Sequence, residues 1–380
     1  MDFSFSEEQQ ELADLAKQIL EGELSIERLK EVDAGSEHFD RDLWSQLAAA
    51  GLLGVAVPEV HGGLGYGFLE TALVLEQIGR TVAPVPFLAA VVLGGLPIAQ
   101  FGSDAQQAAY LPGLASGESL VTAALVELGA DPAAPRTTAR RDGDGWVLDG
   151  VKDCVPAGIV AERVLVPATA DDGIVLALVD VTAAGVILER QDTTNFDPEA
   201  RITLEGVRVA DGDVLGSVAD GAANLDWVIE RATAALCAVT VGVCEEALRM
   251  TAEYTKTREQ FDRVIATFQA VGQRAADAYI DTEAIRLTTW QAVWRLSEGL
   301  PATAEVAVAK FWAAEGGQRV VHAAQHLHGG MGVDKDYPLH RYFLLAKKLE
   351  LTLGGATPQL LKLGGILAHE PAGGPAVERV

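Results

Sequence analysis

The hydrophobic period of this chain changes twice along its length, and that double change restricts the fold more than any single residue does. Near the start, Ser6 and Gln9 form a capping-box signature, after which Leu12, Leu15, Ala16, Ile19 and Leu20 recur at one-faced helical spacing. Helical patterns continue to about residue 118, broken by turn signals such as HGGLGYG and LPGLASGES. From about residue 120 the pattern becomes short β-branched runs set between glycine and aspartate: GWVLDGV, RVLVPATA, GIVLALVDV, GVILER and RITLEGVRV. After Gly216, long patterns rich in Ala, Leu, Glu and Arg return over 224–258, 269–299 and 302–328. The reading is an α+β chain: a helical domain over 1–118, an antiparallel β-domain over 119–217, a helical bundle over 218–370 and a loose tail over 371–380.

At 380 residues the chain can bury a large core. Its 54 acidic against 29 basic residues give a formal net charge of -25, which repels nucleic-acid phosphates and anionic lipid. Neither a nucleic-acid nor a membrane partner is expected. The longest apolar stretch, 87–99, holds two glycines and a proline and is shorter than the roughly 20 residues of a spanning helix. The opening MDFSFSEEQQ is acidic where a secretory signal is basic, so the expected location is cytoplasmic. Cys154, Cys237 and Cys244 show no CxxC spacing, which suggests neither a disulfide framework nor a zinc site. They read as small core residues.

Three features together resemble the acyl-CoA dehydrogenase family: the helix, strand, helix order, the segment TREQFDRVIATFQAV, and the later segment HLHGGMGVDKDYPLHRYF. The resemblance spans nearly the whole chain. It implies that family's fold, with an N-terminal helical domain, a middle antiparallel β-domain and a C-terminal four-helix bundle. It also implies an FAD cofactor, an acyl-CoA substrate, an electron-transfer flavoprotein or similar acceptor, and a tetramer in which each FAD lies between two chains. On this resemblance Arg258, Phe261 and Gln269 reach the FAD of a neighbouring chain. An arginine fork suits a pyrophosphate, a phenylalanine face suits a flat ring, and a glutamine amide suits a polar edge. Gly329, Gly330 and Gly332 fall at the family's glycine turn, where backbone amides approach the ADP portion. His326 stands where the family commonly has glutamine and retains a hydrogen-bond donor, and Asp262 stands where it usually has glycine. Without the family frame the same residues read as a surface arginine, two core residues, a helix stop at Gly329 and a structural histidine.

The reaction implied by the resemblance takes the α-proton of a thioester while the β-hydrogen leaves as hydride, so it needs a carboxylate base. The usual base position, an EGT-like stretch, is LTLGGATPQL in this chain, which puts Gly354 there. A second group of the family carries the base on an earlier helix, and counting back twenty-six residues from Arg258 reaches Ala232. Glu230 is the nearest carboxylate, but on an α-helix it is rotated by roughly 200° from that face, and only a local bulge would bring it back. Glu245 and Glu246 on the same helix read as a solvated face.

In the β-domain, VELGADPA over 126–133 replaces the family's TEPGAGSD, and Cys154, Val155, Pro156 and Ala157 replace a W-I-T-N or W-I-S-N stretch. On the resemblance, contacts to the chain's own FAD are degraded, while those offered to a neighbour are mostly present. The chain resembles the base-lacking subunit of actinobacterial α2β2 dehydrogenases acting on steroid side-chain CoA thioesters. The alternatives are a self-sufficient homotetramer using Glu230, a flavin monooxygenase served by a reductase, and a scaffold that binds no flavin. By analogy, the HGGLGYG turn and the helices after it are expected to line the acyl pocket.

Overall fold

The computed structural model describes residues 4–369, so the expected tail over 371–380 lies outside the described residues. Helices α1 (Glu7–Glu23), α2 (Ile26–Ala34), α3 (Arg41–Ala49), α4 (Phe68–Thr81), α5 (Leu96–Phe101) and α6 (Asp104–Ala115) occupy the first third. The capping box starts α1 as read: Gln9 N donates to Ser6 Oγ at 3.2 Å and Ser6 N to Gln9 Oε1 at 3.0 Å. The segment Leu88–Gly95 before α5 is π-helical. Pro97 lacks an N–H and its ring would meet the carbonyl one α-turn back, and just before it the helix takes a wider turn, with the Leu96 N–H bonded to Val91 O.

Seven strands follow: β1 (Val121–Ala123), β2 (Thr138–Asp142), β3 (Gly145–Val155), β4 (Arg163–Ala170), β5 (Gly173–Asp180), β6 (Val186–Gln191) and β7 (Glu199–Ala210). They form one sheet in the order β1-β4-β2-β3-β7-β6, with β5 also paired to β4. The expectation of a wholly antiparallel sheet is corrected to a mixed one, because β1 and β2 both run parallel to β4. Side chains alternate with the same period in both arrangements, so the sequence pattern does not report direction.

The last part holds α7 (Gly221–Thr257), the hairpin β8 (Glu259–Gln260) and β9 (Arg263–Val264), α8 (Gln269–Ser297), α9 (Thr303–His328), α10 (Leu339–Leu351) and α11 (Ala356–His369). Helix α7 is long and apolar enough to cross a membrane by length and composition, but 89% of the qualifying window is buried inside the protein. By packing, the chain forms two compact units. The first takes the described residues up to Leu15, Glu76–Val82 and the described residues from Leu236 onward, and the second takes Ala16–Leu75 and Ala83–Ala235. This grouping cuts across boundaries drawn by secondary structure, since α1, α4 and α7 each supply residues to both units. In the first unit, glycines let α4 and α7 meet backbone to backbone: a Cβ on Gly79 would lie 2.0 Å from Val239 O, and one on Gly242 1.9 Å from Glu76 O.

Candidate cofactor site and the base position

The two segments read as cofactor-binding, around Arg258 and around the glycine turn, lie in the first unit. After α7, the hairpin turns through Phe261 and Asp262 with φ of 53° and 60°. Two successive left-handed residues are what a two-residue type I′ turn requires, and aspartate tolerates that geometry, so the turn stands without the family's glycine. Arg258 is fixed at both ends of its peptide: its N–H bonds Tyr254 O at 2.9 Å, and its carbonyl accepts from Ile265 N at 2.8 Å. Phe261 is 86% exposed and meets Phe268 edge-on at 6.2 Å, while the Arg263 guanidinium lies 4.1 Å over the Phe268 ring. Gln269 is exposed and opens α8, whose N-terminus adds a partial positive charge.

Helix α9 ends at the glycine turn. Gly329 adopts φ 60° and ψ -135°, a region open to glycine, and its N–H caps His326 O. A Cβ added at Gly329 or Gly330 would meet no protein atom within 4 Å, whereas one at Gly332 would lie 2.8 Å from Gln325 O. Gly329 and Gly330 therefore present bare backbone outward, and Gly332 packs inward. His326 is exposed. Two residues escaped the sequence reading. Gln325 donates to Gly332 O at 3.4 Å, and His328 is buried against Tyr254, with ring centroids 4.3 Å apart. Tyr254 lies just before one motif, and His328 and Tyr337 lie within the other, which was the available signal. An arginine fork, an exposed flat ring, an amide and an open glycine backbone form a donor set that fits a flavin dinucleotide.

The base position is held differently. Leu353 and Gly354 have φ of 56° and 91°, and a Cβ on Gly354 would lie 3.2 Å from Pro358 Cβ and 3.3 Å from Gln359 Nε2. Gln359 Nε2 in turn donates to Leu353 O at 3.0 Å. Just before this loop, buried Lys310 donates to the carbonyls of Leu349 and Glu350 at the end of α10. Burial lowers the Lys310 ammonium to about 8. The bulge that Glu230 would need is missing, since α7 is regular α-helix from Gly221 to Thr257. Ala232 is 1% exposed, and Glu230 lies on another face of the helix.

Two sequence readings are corrected. Glu245 and Glu246 are not a solvated face: Glu245 receives both Arg80 and Arg286, Glu246 takes Arg249 at 2.6 Å, and their side chains are only 13% and 14% exposed. Arg80 comes from α4 and Arg286 from α8, partners that only the fold brings together. Nearby, burial pushes the Glu76 carboxyl up to about 7, and the attraction of Arg80 at 3.6 Å offsets this only in part. Cys154 is exposed, not a core residue, while burial pushes the thiols of Cys237 and Cys244 up to about 12.

In the second unit, the polar groups of the divergent β-segments are turned on the protein itself. Glu127 accepts from Lys152 Nζ at 2.6 Å, Arg136 N at 2.6 Å and Thr137 Oγ1 at 2.7 Å, and Lys152 also donates to Pro167 O at 2.7 Å. Burial raises the cost of charge on Glu127, but the hydrogen bonds from Lys152 and Thr137 outweigh it and hold the carboxyl below its ordinary range. Burial likewise pulls the Lys152 ammonium below its usual value. Cys154 N–H is taken by Gln191 Oε1 at 2.7 Å, and Val126 O by Asp153 N at 2.9 Å.

Comparison with known proteins agrees with the fold. Residues 6–118 match the acyl-CoA dehydrogenase N-terminal domain and residues 219–361 match the acyl-CoA dehydrogenase C-terminal domain. The chain is 42% identical to acyl-CoA dehydrogenase FadE27 of Mycobacterium tuberculosis, over 98% of this chain and all of that one. It is 36% identical to acyl-CoA dehydrogenase FadE28 of the same organism, over 96% and 98%. Among solved structures it superposes on the ChsE4-ChsE5 complex of M. tuberculosis with a TM-score of 0.93 at 43% identity, covering 98% of this chain and 100% of that one. It superposes on the Tcur3481-Tcur3483 steroid ACAD with a TM-score of 0.90 at 46% identity, covering 95% and 98%. The chain belongs to the acyl-CoA dehydrogenase family. Its members are FAD-dependent oxidoreductases, and FAD is the cofactor of this chain's class.

Proposed function

We propose that this chain is the base-lacking subunit of a two-component acyl-CoA dehydrogenase, completing an FAD site that a second, related chain holds. The Gly354 loop carries this reading. The family's base position has no side chain, and its left-handed backbone is one that a glutamate would occupy only with strain. Ala232, the alternative position, is equally unable to accept a proton. When bound, FAD would supply the acceptor for the hydride that leaves the β-carbon of the acyl-CoA. The α-proton goes to a glutamate of the partner chain. This chain's residues bind and orient. Arg258 supplies a charged fork to the pyrophosphate, the absence of side chains at Gly329 and Gly330 leaves room for the ADP portion, Gln269 and His326 bond polar edges, and Phe261 covers a ring face.

Three further observations support it. The polar groups of the β-segments that would serve the chain's own flavin are spent internally, as Glu127, Lys152 and Gln191 illustrate. Large apolar residues stand exposed on α8 and α11, among them Ile280, Leu287, Leu361 and Leu367, as expected of helices that pack on another chain. One similar solved structure is a complex of ChsE4 with ChsE5, and another is described as a steroid ACAD, which favours an α2β2 assembly acting on a steroid side-chain thioester. An electron-transfer flavoprotein or a similar carrier is the fitting acceptor.

The test is co-expression with a dehydrogenase-like chain that retains the glutamate. Turnover of acyl-CoA should appear only in the complex, vanish when the partner's glutamate becomes glutamine, and survive Glu230→Gln in this chain. Turnover by this chain alone, abolished by Glu230→Gln, would overturn the proposal.

A further inference from the structure

We propose that His328 is a positioning residue that clamps the Arg258 hairpin to the glycine turn, so that both reach the cofactor in one fixed arrangement. The inference rests on the reading that these two segments hold FAD. His328 occupies the last turn of α9, immediately before Gly329, and is 3% exposed. Its Nδ1 lies 2.8 Å from Ala324 O, an atom that only accepts, so Nδ1 carries the proton and donates. In the neutral ring Nε2 is then free to accept from the Tyr337 hydroxyl at 3.1 Å. The ring stacks on Tyr254 with centroids 4.3 Å apart and planes 22° apart.

Each partner belongs to a different part of the proposed site. Tyr254 lies in the last turn of α7, and its carbonyl receives the Arg258 N–H at 2.9 Å, so the imidazole rests on the residue that anchors the hairpin. Tyr337 lies beyond the glycine turn, with its own N–H bonded to Asp334 O at 3.2 Å. One buried ring therefore touches the helix end before the hairpin and the segments on both sides of Gly329 to Gly332. Burial keeps the ring's pKa below the ordinary histidine value, the form this hydrogen-bond pattern needs. Glu246 and Arg249 on α7, paired with each other at 2.6 Å, are the charged groups that act on Tyr337 from the facing helix.

The test uses the purified two-component complex and measures FAD retention by the rise of flavin fluorescence on dilution. It also records the visible circular dichroism of the bound flavin, which reports its seating independently of activity. Tyr337→Phe removes one hydroxyl, and His328→Phe keeps the stack while removing both hydrogen bonds. Each should weaken FAD binding by roughly tenfold and alter the flavin dichroism, with the far-ultraviolet spectrum and subunit ratio unchanged. Arg258→Ala is the reference. If Arg258→Ala releases flavin while Tyr337→Phe retains it within about twofold and keeps the wild-type dichroism, the clamp is refuted. If Arg258→Ala itself leaves retention unchanged, the reading of the site fails instead. Should His328→Phe not assemble, Tyr337→Phe decides alone.

Discussion

Replacing Gly354 by alanine tests whether the base position is closed to side chains by the backbone itself. The residue sits at φ 91°, where a Cβ costs roughly 1–2 kcal/mol. The added Cβ would lie 3.2 Å from Pro358 Cβ and 3.3 Å from Gln359 Nε2, tight enough to push Gln359 aside. That amide donates to Leu353 O at 3.0 Å, a bond worth about 1 kcal/mol net. The expected destabilisation is therefore about 2–3 kcal/mol, read as a lowered urea midpoint at unchanged slope with all samples at one protein concentration. Gly22→Ala is the control, since Gly22 lies in α1 with no atom within 4 Å of its would-be Cβ and should gain up to about 1 kcal/mol from helix propensity. If Gly354→Ala unfolds with wild-type stability while Gly22→Ala shifts as expected, the loop is not held in this conformation. Backbone strain would then not close Gly354 to a side chain. Gly354→Glu should carry the same cost and give the isolated chain no dehydrogenase turnover.

Glu127→Gln should destabilise by about 3–5 kcal/mol by stranding the buried Lys152 ammonium. Glu127→Leu combined with Lys152→Met should cost less than that single change, and equal or greater loss in the double variant would contradict the ion-pair account. Phe261→Ala should leave stability within about 0.5 kcal/mol, because the ring is 86% exposed, yet reduce FAD retention by the complex. An unaltered flavin affinity would remove Phe261 from the site. For Glu76 the folded pKa is raised from 4.5 to about 7, so its contribution is complete below pH 4.5 and is lost as pH rises toward 7. Relative to Glu76→Gln, the wild type should lose about 3 kcal/mol of unfolding free energy across that window, and a constant difference between the two would refute the assignment.

Much of this was legible in the residues. The Ser6 and Gln9 box gave the start of α1, and the long periodic segments gave α7, α8 and α9 within a few residues, because local hydrogen bonds and period decide those features. The helix stop and glycine turn stood at Gly329 as read, whereas the hairpin at Phe261 and Asp262 came only with the structure. What the sequence hid depends on residues far apart in the chain. Strand direction between β1 and β4 is set by a crossover, and the burial of Glu245 depends on Arg80 and Arg286 arriving from other helices. The role of His328 required the approach of Tyr254 and Tyr337, and a lone histidine beside the expected one at 326 gave no reason to choose between them.

The central claim is that this polypeptide contributes to a flavin site it does not complete alone. The most direct measurement counts FAD by absorbance against protein, for the chain purified by itself and for the chain co-purified with its partner. The account predicts little flavin on the isolated chain and about two FAD per four chains in the complex. A homotetramer of this chain carrying one FAD per subunit and oxidising acyl-CoA would contradict it.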